Sequence, residues 1–308
     1  MLQQKTLIKP IQFSGVGLHS GHQATVTLLP AAANTGINFH RTDVNQKIPC
    51  SPKYITNTNR STTITYNNIS IITIEHLLSA LYSLEVDNVI IEVDNDEIPI
   101  LDGSTKPIID AINQVGTIEL NEAKKEFVIK NYIVWKDDAT DAEYMFMPHN
   151  EFSVTCLIDY PSKLIHNQFA VLNSLDEYYT EIAPAKTFCF LHEIDFLYNN
   201  GLIRGGSINN ALIYSEIPLS KNKIQWIADT FNQPINSIPE KGILNPLNQS
   251  FDNEAARHKI LDVIGDLALT QTYWRGKLIC YKPGHASNVR FSNFLYEEIL
   301  HNNLAFSQ

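Results

Sequence analysis

The sequence predicts an α+β protein made of two related halves, and three observations lead there. At 308 residues the chain exceeds the comfortable size of one core and suits two domains of about 150 residues. Each half runs through the same succession of strands, a histidine-bearing helix, a further strand, a polar loop and a helix. Between the halves lies the charged segment ELNEAKKE, residues 119–126, which has the composition of a junction. The shared order suggests internal duplication, although residue identity between the halves is too low to call it a sequence repeat.

Residues 1–72 alternate in the strand manner, as in QATVTLLP (23–30) and RSTTITYNNISIITI (60–74), the latter broken by the turn pair Asn67 and Asn68. IEHLLSALYSL follows as a short helix, with Leu77, Leu78, Leu81 and Leu84 on its core side and His76, Ser79 and Ser83 on a polar stripe. A strand NVIIEVD (88–94), a turn-rich loop ending in DGS (102–104) and a helix KPIIDAINQV (106–115) complete this half, and the boundary is set between residues 121 and 122. The second domain, 122–308, opens with strands FVIKNYIVW (127–135), EYMFM (143–147) and FSVTCLIDY (152–160), then a helical DEYYTEIA (176–183). It closes with the helix NEAARHKILDVIGDL (253–267), a strand KLICYKP (277–283), a loop GHAS and a helix FSNFLYEEILHN (291–302). An insert around 188–215 and a region 216–250 with its own helix KNKIQWIADTF interrupt this half, and insertions are where substrate contacts tend to be built.

With 44% hydrophobic and 18% charged residues the chain is globular. Its apolar runs are broken by charge well before the roughly 18 residues a membrane span requires, and the start MLQQKTLIKPIQ lacks a signal-peptide core. Cys50, Cys156, Cys189 and Cys280 are scattered without a CxxC pair, which suits a reducing compartment and argues against a thiolate zinc site. A formal charge of −10 disfavours nucleic acid as a partner. The expectation is a cytoplasmic monomer acting on a small molecule, with any metal held by histidine and carboxylate.

The helix at 253–267 carries the chemistry. Ile260, Val263, Ile264 and Leu267 form a buried face, while His258, Asp262 and Asp266 form a second stripe. An imidazole and a carboxylate at i and i+4 can converge on one ion, though a solvated hydrogen bond explains the same spacing. His76 is the candidate third ligand. If the halves pack as duplicated units, the two histidine-bearing helices meet, and His76, His258 and Asp262 leave a fourth position open, as catalytic zinc sites do. Such a metal lowers the pKa of bound water and polarises a carbonyl, and hydrolysis still needs a base. Glu75, beside His76, is the natural one, the alternative being a carboxylate favoured by the helix N-terminus. His285 in YKPGHASN can protonate a leaving amine if a carboxylate fixes its tautomer, and Asp266 is the partner; the plainer reading is an exposed loop histidine. His19 sits in the glycine-flanked SGVGLHSG, which is no nucleotide P-loop because no GK[ST] follows.

Taken together, IEHLLSAL, EIPILDGS, AKTFCF, RHKILDVIGDL and PGHASN resemble the UDP-3-O-acyl-N-acetylglucosamine deacetylases of Gram-negative lipid A synthesis, from GVGLHSG to the last helix. The resemblance implies two βααβ-type sandwich domains, sheet packed on helices, each with an insert and with the active site between them. It implies Zn2+, with Fe2+ compatible, on His76, His258 and Asp262, Glu75 as base, and His285 with Asp266 as acid. It also implies Thr187 as a donor to the tetrahedral oxyanion and Lys259 facing an anionic substrate. His19 and Lys282 are placed near the sugar nucleotide, and Asp159 and Tyr160 at the uracil. Phe188, Phe190, Leu191, Ile194 and Ile203 are expected to line an apolar passage for the acyl chain. Each methylene buried there is worth about 0.8 kcal/mol, so the passage can act as a length ruler. Ordinary helix packing explains the same periodicity. The stretch 216–250 looks longer than in many relatives, and His192 and Asn210 make the passage more polar than the family pattern; some members also continue into a fused dehydratase, which the sequence to Gln308 does not contain. The rival readings are a zinc hydrolase of another amide, such as a peptidase, disfavoured by the lack of HExxH, and a non-catalytic sugar-nucleotide or lipid carrier.

Overall fold

A computed structural model describes residues 2–231, 239 and 241–300. In the first half the strands are β1 (Gln3–Leu7), β2 (Ile11–Val16), β3 (Gln23–Pro30), β4 (Ile37–Arg41), β5 (Gln46–Pro49), β6 (Ile55–Asn57), β7 (Thr63–Tyr66), β8 (Ile69–Ile71) and β9 (Val89–Val93), with helices α1 (Glu75–Ser83) and α2 (Lys106–Val115) on either side of β9. The chain continues through β10 (Thr117–Ala123), β11 (Glu126–Val128), β12 (Ile133–Lys136), β13 (Glu143–Met147), β14 (Phe152–Asp159) and β15 (Asn167–Leu172). Then come α3 (Tyr178–Glu181), β16 (Phe188–Phe190), α4 (Leu191–Asn199), β17 (Leu212–Ser215), α5 (Lys221–Phe231), β18 (Gly242–Ile243), α6 (Glu254–Leu267), β19 (Tyr273–Tyr281) and α7 (His285–Leu300).

The duplication that the order of elements suggested is visible in the pairing. One sheet runs β2-β3-β9-β4-β5 and the other β12-β13-β19-β14-β15. In both, the last strand inserts between the second and third, antiparallel to one and parallel to the other. In both, a helix precedes that inserted strand and another follows it, so α1 corresponds to α6 and α2 to α7. Strict alternation drives the strands: β19 turns Trp274, Gly276, Leu278 and Cys280 inward and leaves its other residues more open. One contiguous apolar core runs through both halves.

The two sheets bring α1 and α6 together, the most extensive contact between any two helices described. All nine residues of α1 are buried, polar ones included, because α6 covers its polar stripe. Gly265 makes this approach possible. A Cβ there would stand 2.2 Å from the backbone O of Glu75 and 2.8 Å from its carbonyl carbon. Gly265→Ala is therefore expected to push the helices apart and to destabilise the fold by about 1–3 kcal/mol, the usual cost of overpacking. Chemical denaturation measures it, and an unchanged midpoint would show that the contact yields without cost.

Two expectations change. ELNEAKKE is not an open junction, because β10 pairs antiparallel with β1. Its charges reflect a two-stranded ribbon facing solvent, and the connection itself narrows to Lys124 and Lys125, with Lys124 Nζ anchored to Asp87 Oδ2 at 2.7 Å and to the Glu85 carbonyl at 3.0 Å. GHAS is not a loop, since α7 begins at His285. The Gly284 N–H donates to Ser287 Oγ at 3.1 Å and its carbonyl accepts from the Asn288 N–H at 2.8 Å, which starts the helix directly after the glycine. KNKIQWIADTF is helical as α5, while residues 232–238, 240 and the helix end at 301–302 lie outside the described residues. No described helix is long and apolar enough to cross a membrane.

Candidate active site

α1 supplies Glu75 and His76 in its first turn, and α6 supplies His258, Asp262 and Asp266 at i, i+4 and i+8 along the stripe that faces α1. One ligand atom each from His76, His258 and Asp262 lies within 4.8 Å of the others, and all three residues are buried. The rings of His76 and His258 meet edge to face with centroids 5.1 Å apart.

The donor chemistry suits a metal ion. His258 Nδ1 donates to the Ala185 carbonyl at 3.1 Å, which fixes the tautomer and leaves Nε2 with its lone pair 3.4 Å from Asp262 Oδ1. Asp262 Oδ1 and His76 Nδ1 are buried with no hydrogen-bond partner among the described residues, a costly arrangement unless something else satisfies them. Burial, reinforced by His258, pushes the His76 imidazole down to about 3, and burial also lowers His258, so both rings are neutral as ligands must be. Burial works against an ionised Asp262, but Lys259, with Nζ 2.8 Å from Oδ2, and the charged His285 hold it well below the usual carboxylate range.

Beside this triad stand a carboxylate and an imidazole. Glu75 is 2% exposed, and its Oε2 accepts the Thr62 N–H at 3.0 Å. Burial raises its carboxyl to about 8; Asp266 and Asp262 add to this while His285 opposes it. His285 Nε2 lies 3.9 Å from Glu75 Oε1 and 3.9 Å from Asp262 Oδ2, while Nδ1 meets Asp266 Oδ2 at 3.2 Å. Burial would neutralise this ring, yet Asp262 and Asp266 outweigh it and raise its pKa to about 9. Asp266, itself fully buried, also accepts from Thr62 Oγ1 at 2.6 Å and Asn288 Nδ2 at 2.9 Å, and Tyr144 Oη holds Asn288 by donating to its Oδ1 at 2.6 Å.

A polar cleft opens over these groups. His19, Tyr160, Thr187, Phe188, Phe190, Lys259 and Lys282 line it together with the triad, Glu75 and His285. An apolar groove leads off it, sharing His19, Thr187 and Phe188 and adding Ile194, Leu197, Ile203, Ala211 and Ile213. Two expected residues lie elsewhere. Leu191 bounds neither space: the turn of α4 carries it into a small core with Ile194, Ile213, Ile227 and Leu244. Asp159 stands behind the rim with its carboxylate 3.0 Å from Lys282 Nζ. The polarity expected at His192 and Asn210 does not enter the groove, because His192 stacks on Phe190 and Asn210 is buried, bonding the Ser207 N–H and the Gly205 carbonyl. Arg60, which lines both spaces and makes a bidentate pair with Glu193, had no signal in the sequence beyond a lone charge before a strand.

The model of the UDP-3-O-acyl N-acetylglycosamine deacetylase family matches residues 4–231 and 235–297. The chain belongs to this family. Among curated relatives it is 38% identical over 301 residues to "Bifunctional enzyme LpxC/FabZ" of Bacteroides thetaiotaomicron, covering 97% of the chain and 65% of the relative. It is 37% identical over 310 residues to the protein of the same name from Chlorobaculum tepidum, covering 99% of the chain and 66% of that relative. The chain thus spans just under two thirds of these bifunctional relatives. Against "UDP-3-O-acyl-N-acetylglucosamine deacetylase" of Saccharophagus degradans it is 37% identical over 293 residues, covering 94% of the chain and 88% of the relative. The family is one of metalloenzymes, and the triad on α1 and α6 is the one cluster among the described residues able to hold an ion.

Proposed function

We propose that the chain hydrolyses the 2-acetamido group of UDP-3-O-acyl-N-acetylglucosamine, releasing acetate and the free amine on the path to lipid A. The observation that carries this reading is the convergence on one point of His76, His258 and Asp262 with Glu75 on one side and His285 on another. The family and the names of the relatives support the substrate. His76, His258 and Asp262 would hold a divalent ion, zinc by the two-imidazole, one-carboxylate donor set, with iron(II) compatible. Bound there, it would polarise the amide carbonyl and make water a stronger acid.

The chain's own groups then divide the proton work. Glu75 takes a proton from the water that attacks the acetamide carbon, a role its raised pKa suits because a base works best when poised near the ambient pH. His285, held protonated by Asp262 and Asp266, gives a proton to the departing nitrogen as the C–N bond breaks. Thr187 on the cleft wall serves as a donor to the oxyanion, and Lys259 sets the charge of Asp262 while facing the substrate. His19 and Lys282 suit the diphosphate and Tyr160 the uracil, with Asp159 acting through Lys282. The groove beyond Phe188, through Ile194 and Ile203, suits the acyl chain. We place the domain boundary at 121/122, near the end of β10, which closes onto β1 before β11 opens the second half. The chain is read as a cytoplasmic monomer, in keeping with four free cysteines.

The test is acetate release from UDP-3-O-acyl-N-acetylglucosamine by purified protein, before and after chelation and again with one equivalent of zinc. Release that chelator abolishes and zinc restores is the expected result. A folded, zinc-loaded sample that binds the nucleotide without releasing acetate would leave a carrier instead.

A further inference from the structure

Thr62 stands where the two halves meet and bonds to both. Its N–H donates to Glu75 Oε2 at 3.0 Å and its carbonyl accepts from the Ile74 N–H at 3.3 Å, which fixes it on the start of α1. Its hydroxyl donates to Asp266 Oδ1 at 2.6 Å, in the other half. With that proton committed, the oxygen turns lone pairs toward His285 Nδ1, 3.3 Å away, so the Nδ1–H is shared between Thr62 Oγ1 and Asp266 Oδ2. Thr62, Glu75 and Asp266 are all buried, with no solvent to substitute for these bonds.

We infer that Thr62 is a positioning residue that ties the base to the acid pair across the interface of the two halves. The inference rests on the roles proposed for Glu75 and His285. Those groups come from different halves, α1 in one and α7 in the other, so their spacing depends on how the halves pack. Reacting groups must be held to within about 0.5 Å of their working geometry, and Thr62 spans the gap with one residue, amide on the base and hydroxyl on the orienting carboxylate. Asp266 keeps a second anchor in Asn288, itself held by Tyr144, so removing the hydroxyl loosens the tie without dismantling the site.

Thr62→Val removes the hydroxyl and keeps the side-chain shape, while Thr62→Ser keeps the hydroxyl. In the full chain loaded with zinc, Thr62→Val is expected to lower kcat by about 10–100-fold, the usual loss for a group behind the acting residues, with KM and zinc content unchanged. Thr62→Ser is expected to recover most of kcat. Independently of turnover, the hydrogen-bonded Nδ1–H proton of His285 is expected to be visible by NMR in the wild-type chain and in Thr62→Ser, and weakened by faster solvent exchange in Thr62→Val. Thr62→Val with normal kcat and an intact proton signal would overturn the inference. So would Thr62→Ser failing as badly as Thr62→Val, or a loss that follows zinc content. If the wild-type chain releases no acetate, the substrate reading fails, while the Nδ1–H comparison still decides the role of Thr62.

Discussion

Replacing Glu75 with alanine is expected to cut kcat for acetate release by about 10²–10⁴-fold while zinc stays bound at its wild-type ratio. The size follows from what else stands near the carboxylate. Of the neighbouring ionisable groups, His76, His258 and Asp262 are committed to the ion in this reading, Asp266 is taken up by Thr62, Asn288 and His285, and His285, whose pKa of about 9 keeps it charged, cannot accept a proton. Among the described residues no other group beside the carboxylate is free to take over. Retention of zinc follows because Glu75 lies outside the triad and all three ligand side chains remain. Alanine also leaves the Thr62 N–H without its acceptor, so Glu75→Gln, which keeps an oxygen for that bond, separates lost basicity from lost packing. Both variants slow and metal-replete is the expected pattern. Near-normal turnover in Glu75→Gln would sink the assignment of the base.

How legible this site was depends on the range of the signals. His258, Asp262 and Asp266 were readable because helical periodicity is local: one element places them on one stripe. His76 needed the longer step that two similar halves bring equivalent helices together, and the matching sheets bear this out. The sheets' own order was not readable, because inserting β9 or β19 between two earlier strands is a non-local pairing with no composition signal. Charge misled at β10, where polarity marked an exposed ribbon and not a linker. Glycine misled at Gly284, which punctuates the chain one residue before a helix begins. Thr62 stayed hidden because a threonine before a strand reads as β-propensity, and its hydroxyl matters only through a partner 204 positions away. Leu197 could have been found, since it follows Ile194 at i+3 on α4; Leu191, three residues before Ile194, has the same spacing, which does not tell the core side from the groove side.

His258→Ala is expected to abolish activity together with metal retention, and its effect on stability discriminates best. If, as proposed, the wild-type chain holds zinc and only its folded form binds it, free zinc at a hundred times its Kd adds about 2.7 kcal/mol to the unfolding free energy. Removing His258 takes away one of three donors and unties Asp262 from its imidazole neighbour, so that increment is expected to vanish over the same zinc range. The metal-free variant also loses stability. The Ala185 carbonyl forfeits its 3.1 Å donor, and His76 loses the ring it meets edge to face, together worth about 1–3 kcal/mol. That second loss is present with or without zinc, so the difference between melts in chelator and in zinc cancels it and isolates ligation. A parallel downward shift in both conditions, with zinc still bound at the wild-type ratio after gel filtration, would mean that His258 packs the α1–α6 interface without holding the ion. Collapse of the zinc-dependent increment, with a smaller drop in the chelated melt, would place the imidazole on the metal.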